Sequence, residues 1–463
     1  MKNKVKTMKK KKDWQTKAIK RKYKEQDKGI LGIMFIMKHF FKHLNEWIEE
    51  MEDPRNISYI TYTQADYVYM GILKNLCGVR TMHSMEEQFN ASACIRTLGI
   101  LSGNTELAEM PHSDSLNNYL KKLSPQCLSE LRKRMIKSLL RTKIFYGSRL
   151  LGKYWRIILD GTGLYSFREK HCDNCLVTTR TMKDGKIIKV YCHKILEAKL
   201  VLSPKIILSI DTEFIENEDE NTRKQDCEIN AAKRLLGRLK QEYPRLPICI
   251  QADNLYETQT IMELCRKNGF HYILTHKGSR QKVLEESYQL YIESGYGEKV
   301  DKIGAEKGKG IYVNHVEESV GRKNIANIFE YSYTEIKGKS GIKTTKFQWI
   351  TDIELTSKNM EEMIETARGR WKIENEGFNN QKNGIYEIEH INSHNTNGMK
   401  NHYLLAQIAD IIMQLYLAWN PMRKAIKLSI KNTSSMLLES FRRLQITDED
   451  VSQSSRYTTV YLE

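Results

Sequence analysis

The sequence predicts an α/β protein with a helical amino-terminal region and a central sheet covered by helices. Three observations predict it. Apolar residues recur at threes and fours up to about residue 151. At Tyr154 the pattern changes to short β-branched or aliphatic runs bounded by turn residues. Helical stretches then separate the later runs, the arrangement that places helices on sheet faces.

Composition narrows the classes first. The 463 residues are 40% hydrophobic and 28% charged with only 7 Pro and 26 Gly, which excludes collagen-like, low-complexity and wholly disordered chains. No apolar run approaches the roughly 20 residues that cross a bilayer, since Gly29 to Met37 runs on into Lys38, His39 and Lys42. Nothing reads as a secretory signal, and nine cysteines, an odd number, suit reduced thiols in a cytoplasm. The net charge is +17, and residues 1 to 24 hold twelve Lys or Arg against the single acid Asp13. Two readings stay open for this basic arm, residues 1–28: a polyanion-binding tether or a disordered solubility tail.

Helices come first. From Ile30 to Met51, Ile33, Ile36, Phe40, Leu44, Trp47 and Ile48 mark one helix face. Residues 54 to 151 also read as helices, with Ser124-Pro125 starting one that carries Leu128, Leu131, Met135, Ile136, Leu139 and Leu140. Ser115–Leu123 and Pro125–Arg141 read either as a helix-turn-helix or as packed core helices. The turn has no distinguishing signature, which favours packing.

Five strands follow: Trp155–Leu159, Lys199–Leu202, Lys205–Ile210, Ile248–Ile250 and His271–Leu274. Helices at about 228–243 and 257–268 separate the last three. Three strands in an antiparallel meander, then helix, strand, helix, strand, is the layout of an RNase H-like domain. In that layout the first and fourth strands are neighbours, so Asp160, ending the first, and Asp253, ending the fourth, meet. Two adjacent carboxylates repel unless a cation lies between them, and Mg²⁺ takes a few carboxylates plus phosphate oxygens. Taken singly, Asp160 also reads as a turn residue and Asp253 as a helix cap.

A third acid joins them. After strand-like Phe347–Ile350, residues 359–383 read as a helix with Asn359 and Glu362 spaced as a capping box. At about 100° per residue Arg370, Glu374, Phe378 and Gln381 share a face, and Glu376 points away. Only one of the two glutamates can then face the metal, and a solvated helix charge is the competing reading of Glu374.

Leu159-Asp160-Gly161-Thr162, Ala252-Asp253-Asn254-Leu255-Tyr256 and Arg370-Trp371-Lys372-Ile373-Glu374-Asn375 together resemble the DDE transposases of bacterial insertion sequences, in the branch with a β-strand insertion before the last acid. The resemblance covers roughly residues 53 to 416. It implies an RNase H-like catalytic core, two Mg²⁺ or Mn²⁺ ions held by Asp160, Asp253 and Glu374, and a bacterial, nucleoid-associated cytoplasmic protein. It also implies double-stranded DNA as partner, both transposon terminal repeats and target, with a homodimer on DNA. In the family's Y-R-E-K signature Arg370 matches, whereas Ala367 occupies the Tyr site and Gln381 the Lys site, with Lys382 one residue on. Arg370, and Lys382 or Gln381, would then hold DNA phosphate. The expected segments are the arm 1–28, a helical, DNA-binding region 29–151, a first core part 152–279, a β-rich insertion 280–346, the end of the core 347–425 and a tail 426–463. The insertion is rich in Tyr and Trp, and in the resembling branch it grips the DNA end. Ordinary sheet packing is the competing account of those aromatics.

Cys172-Asp173-Asn174-Cys175, preceded by His171 and followed by Cys192-His193, falls in an excursion at 171–193 between the first two core strands. Cys172, Cys175, Cys192 and His193 suit a structural Zn²⁺, and reduced unliganded cysteines are the alternative. For the whole chain the reading is a metal-dependent DNA transposase. A related nuclease that never joins ends, and a catalytically silent DNA-binding descendant, remain as alternatives.

Overall fold

The computed structural model describes residues 29–217, 224–317, 325–336, 342–371, 379–419 and 428–454. The basic arm, Glu374, Glu376 and Phe378 lie outside them. The chain forms two compact units, residues 1–144 with 379–463, and residues 145–378.

The amino-terminal helices are α1 (Ile30–Phe40), α2 (Leu44–Glu49), α3 (Gln64–Leu76), α4 (Met82–Gln88), α5 (Ser92–Ser102), α6 (Ser113–Lys122) and α7 (Pro125–Arg141). The stretch expected as one helix from Ile30 to Met51 is two, because Phe41 leaves helical dihedrals and caps α1 through its N–H on the Met37 carbonyl at 2.8 Å. Thr63 starts α3 with a capping box: its hydroxyl accepts from the Asp66 N–H at 3.1 Å, and Asp66 accepts from the Thr63 N–H at 2.8 Å.

The second unit is built on one ten-stranded mixed sheet. In chain order its elements are β1 (Trp155–Phe167), β2 (Leu176–Thr181), β3 (Ile187–Ser203), β4 (Ile206–Ile215), α8 (Glu228–Glu242), β5 (Ile248–Ala252), α9 (Gln259–Asn268), β6 (His271–Thr275), α10 (Lys282–Glu293), β7 (Glu298–Ile303), β8 (Gly308–Glu317), β9 (Ile325–Ile336), β10 (Ile342–Thr351) and α11 (Met360–Arg368). The strand order is β2-β3-β1-β5-β6-β10-β9-β8-β7, with β4 also paired to β3. β1, β3 and β4 are antiparallel neighbours, whereas β1, β5 and β6 run parallel. β5 and β6 are buried runs joined through helices, as parallel pairing demands. Ala231, Ala232, Leu235, Leu236 and Leu239 form the stripe by which α8 packs on β3 and β4.

The residues expected as a β-rich insertion extend this same sheet, since β10 pairs antiparallel with β6 and β9, β8 and β7 follow outward. Tyr312, Phe329, Tyr331 and Trp349 are buried there in a core completed by Met360, Met363, Ile364 and Ala367 of α11. Those aromatics therefore pack the sheet. Ala367 is 5% exposed in the same core, where a larger side chain would have to displace its neighbours.

After residue 378 the chain joins the helical unit rather than the sheet, through α12 (Asn379–Asn383), α13 (Thr396–Trp419), α14 (Ile430–Arg443) and α15 (Asp448–Ser454). α13 is buried along nearly its whole length and packs on α1, α3, α6 and α7. The Asn401 amide on it donates at 2.8 Å to the carbonyls of both Leu120 and Leu123, satisfying the end of α6. The α6–α7 pair is thereby a packed core element. Residues 430–443, expected within a tail, form a helix with Leu437 and Phe441 fully buried.

Candidate active site

Asp160 lies on β1 and Asp253 directly follows β5. The parallel register ends at Ile158 opposite Gln251, and two further residues along each strand put Asp160 beside Asp253. Because side chains alternate, the two acids share the face of Ile158 and Gln251. Both are half-buried. Asp253 does not cap α9, whose N-cap is Thr258; its Oδ1 instead accepts from the Leu255 N–H at 2.8 Å and shapes the strand-end turn.

Two further acids converge here that sequence reasoning missed. Glu197 of β3 is the cross-strand partner of Asp160 and so shares its face. It is fully buried and accepts hydrogen bonds from Ser209 and, at 2.8 Å, from Thr212. Glu228, the first residue of α8, approaches from the other side. A Cβ on Gly161 would lie 2.4 Å from Glu228 Oε2, so glycine is required for this approach. The Tyr256 hydroxyl donates to the same oxygen at 3.2 Å. Burial first, then the charges of Glu228, Asp160 and Asp253, push that hydroxyl's pKa well above its ordinary value. The electrostatics thus register three carboxylates around one buried phenol.

The same face is covered by α11. Gln251, 1% exposed, donates from Nε2 to the Thr366 carbonyl at 2.8 Å. A cavity of about 540 Å³ opens beside this contact, lined by Arg156, Ile158, Gln251, Glu362, Thr366 and Trp371 among others. The capping box expected at Asn359 and Glu362 does not form. Asn359 exchanges hydrogen bonds with Thr356 instead, and Glu362 Oε1 accepts from the Leu151 N–H at 2.7 Å. Nor does the expected helix run unbroken from 359: α11 ends at Arg368 and turns at Gly369 and Arg370, where the Arg370 N–H reaches back three residues to Ala367. Arg370 is half-buried, next to Trp371, which is 51% exposed.

Lys382 and Gln381 belong to α12 in the helical unit. Gln381 is 2% exposed, and its amide is engaged with Gln407 and with Asp410 at 3.1 Å. A phosphate contact by Gln381 would require opening that network. Lys382 pairs with Glu389 at 2.8 Å.

The excursion after β1 gathers a second constellation. Among the described residues, one set of at least three His, Cys, Asp or Glu brings its ligand atoms within 4.8 Å of one another: His171, Cys172, Cys175 and His193. Cys192, expected in the set, is not in it. His171 stands in its place, because Cys192 and His193 are consecutive on β3 and point to opposite faces. Burial, and then the adjacent Cys175, push the Cys172 thiol up to about 11.

No family model matches this chain, and no curated protein does. Among solved structures, that of a piggyBac transposase synaptic complex with hairpin DNA, determined by cryo-EM, is similar with a TM-score of 0.39 and 13% identity, over 92% of this chain and 84% of that one. No helix among the described residues is long and apolar enough to cross a membrane.

Proposed function

We propose that this chain is a DNA transposase with an RNase H-like core that cleaves and rejoins phosphodiesters at Asp160, within β1, and Asp253, which follows β5. The observation that carries the reading is the parallel register that brings Asp160 and Asp253 side by side, half-exposed, on one face. The strand order β4-β3-β1-β5-β6 supports the RNase H-like assignment. α11 lies on the face of the two aspartates, and the chain leaving it runs to Glu374 within six residues of Arg368.

An acid-only, partly solvated set fits hard divalent cations such as Mg²⁺ or Mn²⁺, and Asp160, Asp253 and Glu374 would hold them. Bound there, such ions supply charge neutralisation for in-line displacement at phosphorus. Arg370 binds a phosphate near the scissile bond through its fork of donors. In the first displacement water attacks the phosphodiester at the element's end and frees a 3′-hydroxyl. In the second that hydroxyl attacks a target phosphodiester and displaces its 3′-oxygen. Tyr256 and Glu228, hydrogen-bonded to each other beside the two aspartates, act as positioning residues. The basic arm adds sequence-independent affinity for DNA.

The test is an assay with labelled terminal-repeat DNA and Mg²⁺ or Mn²⁺, scored for cleavage and joining. Asp160→Asn, Asp253→Asn and Glu374→Gln should each abolish both while DNA binding persists, and Glu376→Gln should retain both. Cleavage without joining would make the chain a nuclease, and binding without either would make it a silent descendant. Wild-type turnover by any of the three variants would remove that residue from the site.

A further inference from the structure

We propose that His171, Cys172, Cys175 and His193 bind one Zn²⁺ and that this knuckle fastens the excursion after β1 to the segment entering α8. With Zn–S near 2.3 Å and Zn–N near 2.0 Å, a tetrahedral site has edges of about 3.3 to 3.8 Å. Three of the six edges fit, Cys172 Sγ to Cys175 Sγ 3.5 Å, Cys172 Sγ to His193 Nε2 3.5 Å and Cys175 Sγ to His193 Nε2 3.3 Å, and the His171 ligand atom lies within 4.8 Å of these three. A disulfide needs its sulfurs at about 2.05 Å, far inside the observed distance. Two thiolates and two neutral imidazoles are a soft set that selects zinc over the hard cations of the carboxylate site, and the loaded site is neutral.

The surroundings are those of a ligand cage. With Nε2 turned to the sulfurs, His193 Nδ1 faces Glu216 Oε1 at 3.9 Å, the kind of carboxylate that orients a metal-bound imidazole. Phe167 stacks on the His171 ring at 4.4 Å and 12° and meets His193 edge-on at 6.3 Å and 85°, so both ring planes are set.

The knuckle is tied to the chain beyond β4. Asn217 donates from its backbone to the Asn174 carbonyl at 3.1 Å and from Nδ2 to the Cys175 carbonyl at 2.9 Å, and Asn174 Nδ2 returns a bond to the Asn217 carbonyl at 2.9 Å. Gln225 spans Val177, accepting from its N–H and donating to its carbonyl at 3.0 Å. Gln225 lies three residues before Glu228, so the bound ion stiffens the run that seats Glu228 against Gly161.

Metal analysis of full-length protein purified reduced and without chelator should find about one zinc per chain. Exchange for Co²⁺ should give the visible d–d and thiolate charge-transfer bands of a tetrahedral S₂N₂ site. Cys192→Ser should keep both signals, whereas His171→Ala, and Cys172→Ser with Cys175→Ser, should lose them. On zinc removal, amide exchange should accelerate across residues 224–231. Absence of zinc together with absence of a cobalt spectrum overturns the site, as does a Cys172–Cys175 disulfide in the native chain. Loss with Cys192→Ser and retention with His171→Ala overturns the ligand set, and unchanged exchange at 224–231 overturns the fastening.

Discussion

Replacing His276 with Gln should remove both stability and a specific pH dependence. His276 follows β6 with its side chain fully enclosed; Nδ1 bonds Glu257, which comes just after the turn from Asp253 to Tyr256, and Nε2 bonds Glu285 of α10 at 2.8 Å. Gln348 of β10 donates to the same Glu285 oxygen at 2.9 Å. Burial alone would lower the imidazole's pKa, but the hydrogen bonds and charges of Glu257 and Glu285 outweigh it and raise the pKa from 6.5 to about 9. His276 is therefore an imidazolium clamp at neutral pH. The unfolded chain loses this proton near 6.5 and the native chain near 9, so between them the native state binds more protons and stability falls as pH rises. At about 1.4 kcal/mol per unit, the clamp contributes about 3 kcal/mol, fully present below pH 6.5 and gone above about 9. Glutamine can hydrogen-bond but cannot carry the charge, and it leaves the buried Glu257 uncompensated at a cost of about 3–5 kcal/mol near neutrality. Urea unfolding of wild type and variant across this range should show a gap that narrows as pH approaches about 9.5. Parallel stability curves, or an imidazole that titrates at its ordinary value in the folded protein, would refute the clamp.

Three further outcomes follow from particular contacts. Gly161→Ala should push the Glu228 carboxylate aside with little change in melting temperature, because the group that must move is the far end of a flexible side chain; a loss of about 1–3 kcal/mol would show that Glu228 is held in place. Phe441→Ala should cost about 3–5 kcal/mol, because the ring is fully buried and edge-on to Phe89 at 4.9 Å and 81°; a loss under 1 kcal/mol would return residues 426–463 to a loose tail. Deleting residues 2–24 should flatten the salt dependence of DNA affinity while preserving preference between sequences, measured by titration at several salt concentrations; an unchanged slope would leave the arm without a part in binding.

The middle of the sheet was legible because β5 and β6 are short buried runs flanked by turn residues, and β1 begins with one. Ile248–Ala252 and His271–Thr275 are joined by a helix long enough for a parallel crossover, and they do pair in parallel. Less legible was where the chain changes unit. α13 is apolar on most of its circumference, and periodicity says that such a helix is buried without saying against what. Its partners are set by shape at distant positions. Gly71 of α3 offers the gap that Leu405 fills, a Cβ there falling 2.6 Å from the leucine Cδ1, and no local pattern advertises that match. The break between α1 and α2 was hidden for a related reason: Phe41, next to the stripe residue Phe40, is no helix breaker and reveals its non-helical dihedrals only in the fold.

At the candidate site the difference between the residues found and those missed is one of context. Asp160 and Asp253 stood out because each follows an apolar run of strand type, where an acid is unexpected, although β1 continues through Asp160 to Phe167. Glu228 did not, because a glutamate in the first turn of a helix is already explained by the helix dipole. Its second meaning depends on Gly161, about 67 positions earlier, lacking a Cβ. Glu197 was concealed by β3 itself, whose length made Lys199 the visible start of a strand that in fact begins at Ile187 and carries Glu197 opposite Asp160. The Cys and His set shows the converse. Alternation along β3 already forbids Cys192 and His193 from facing one ion, and once that strand is recognised His171, next to Cys172, is the nearby residue able to complete four ligands. Spacing in sequence therefore drew attention to that cluster, and strand geometry decided which side chains meet there.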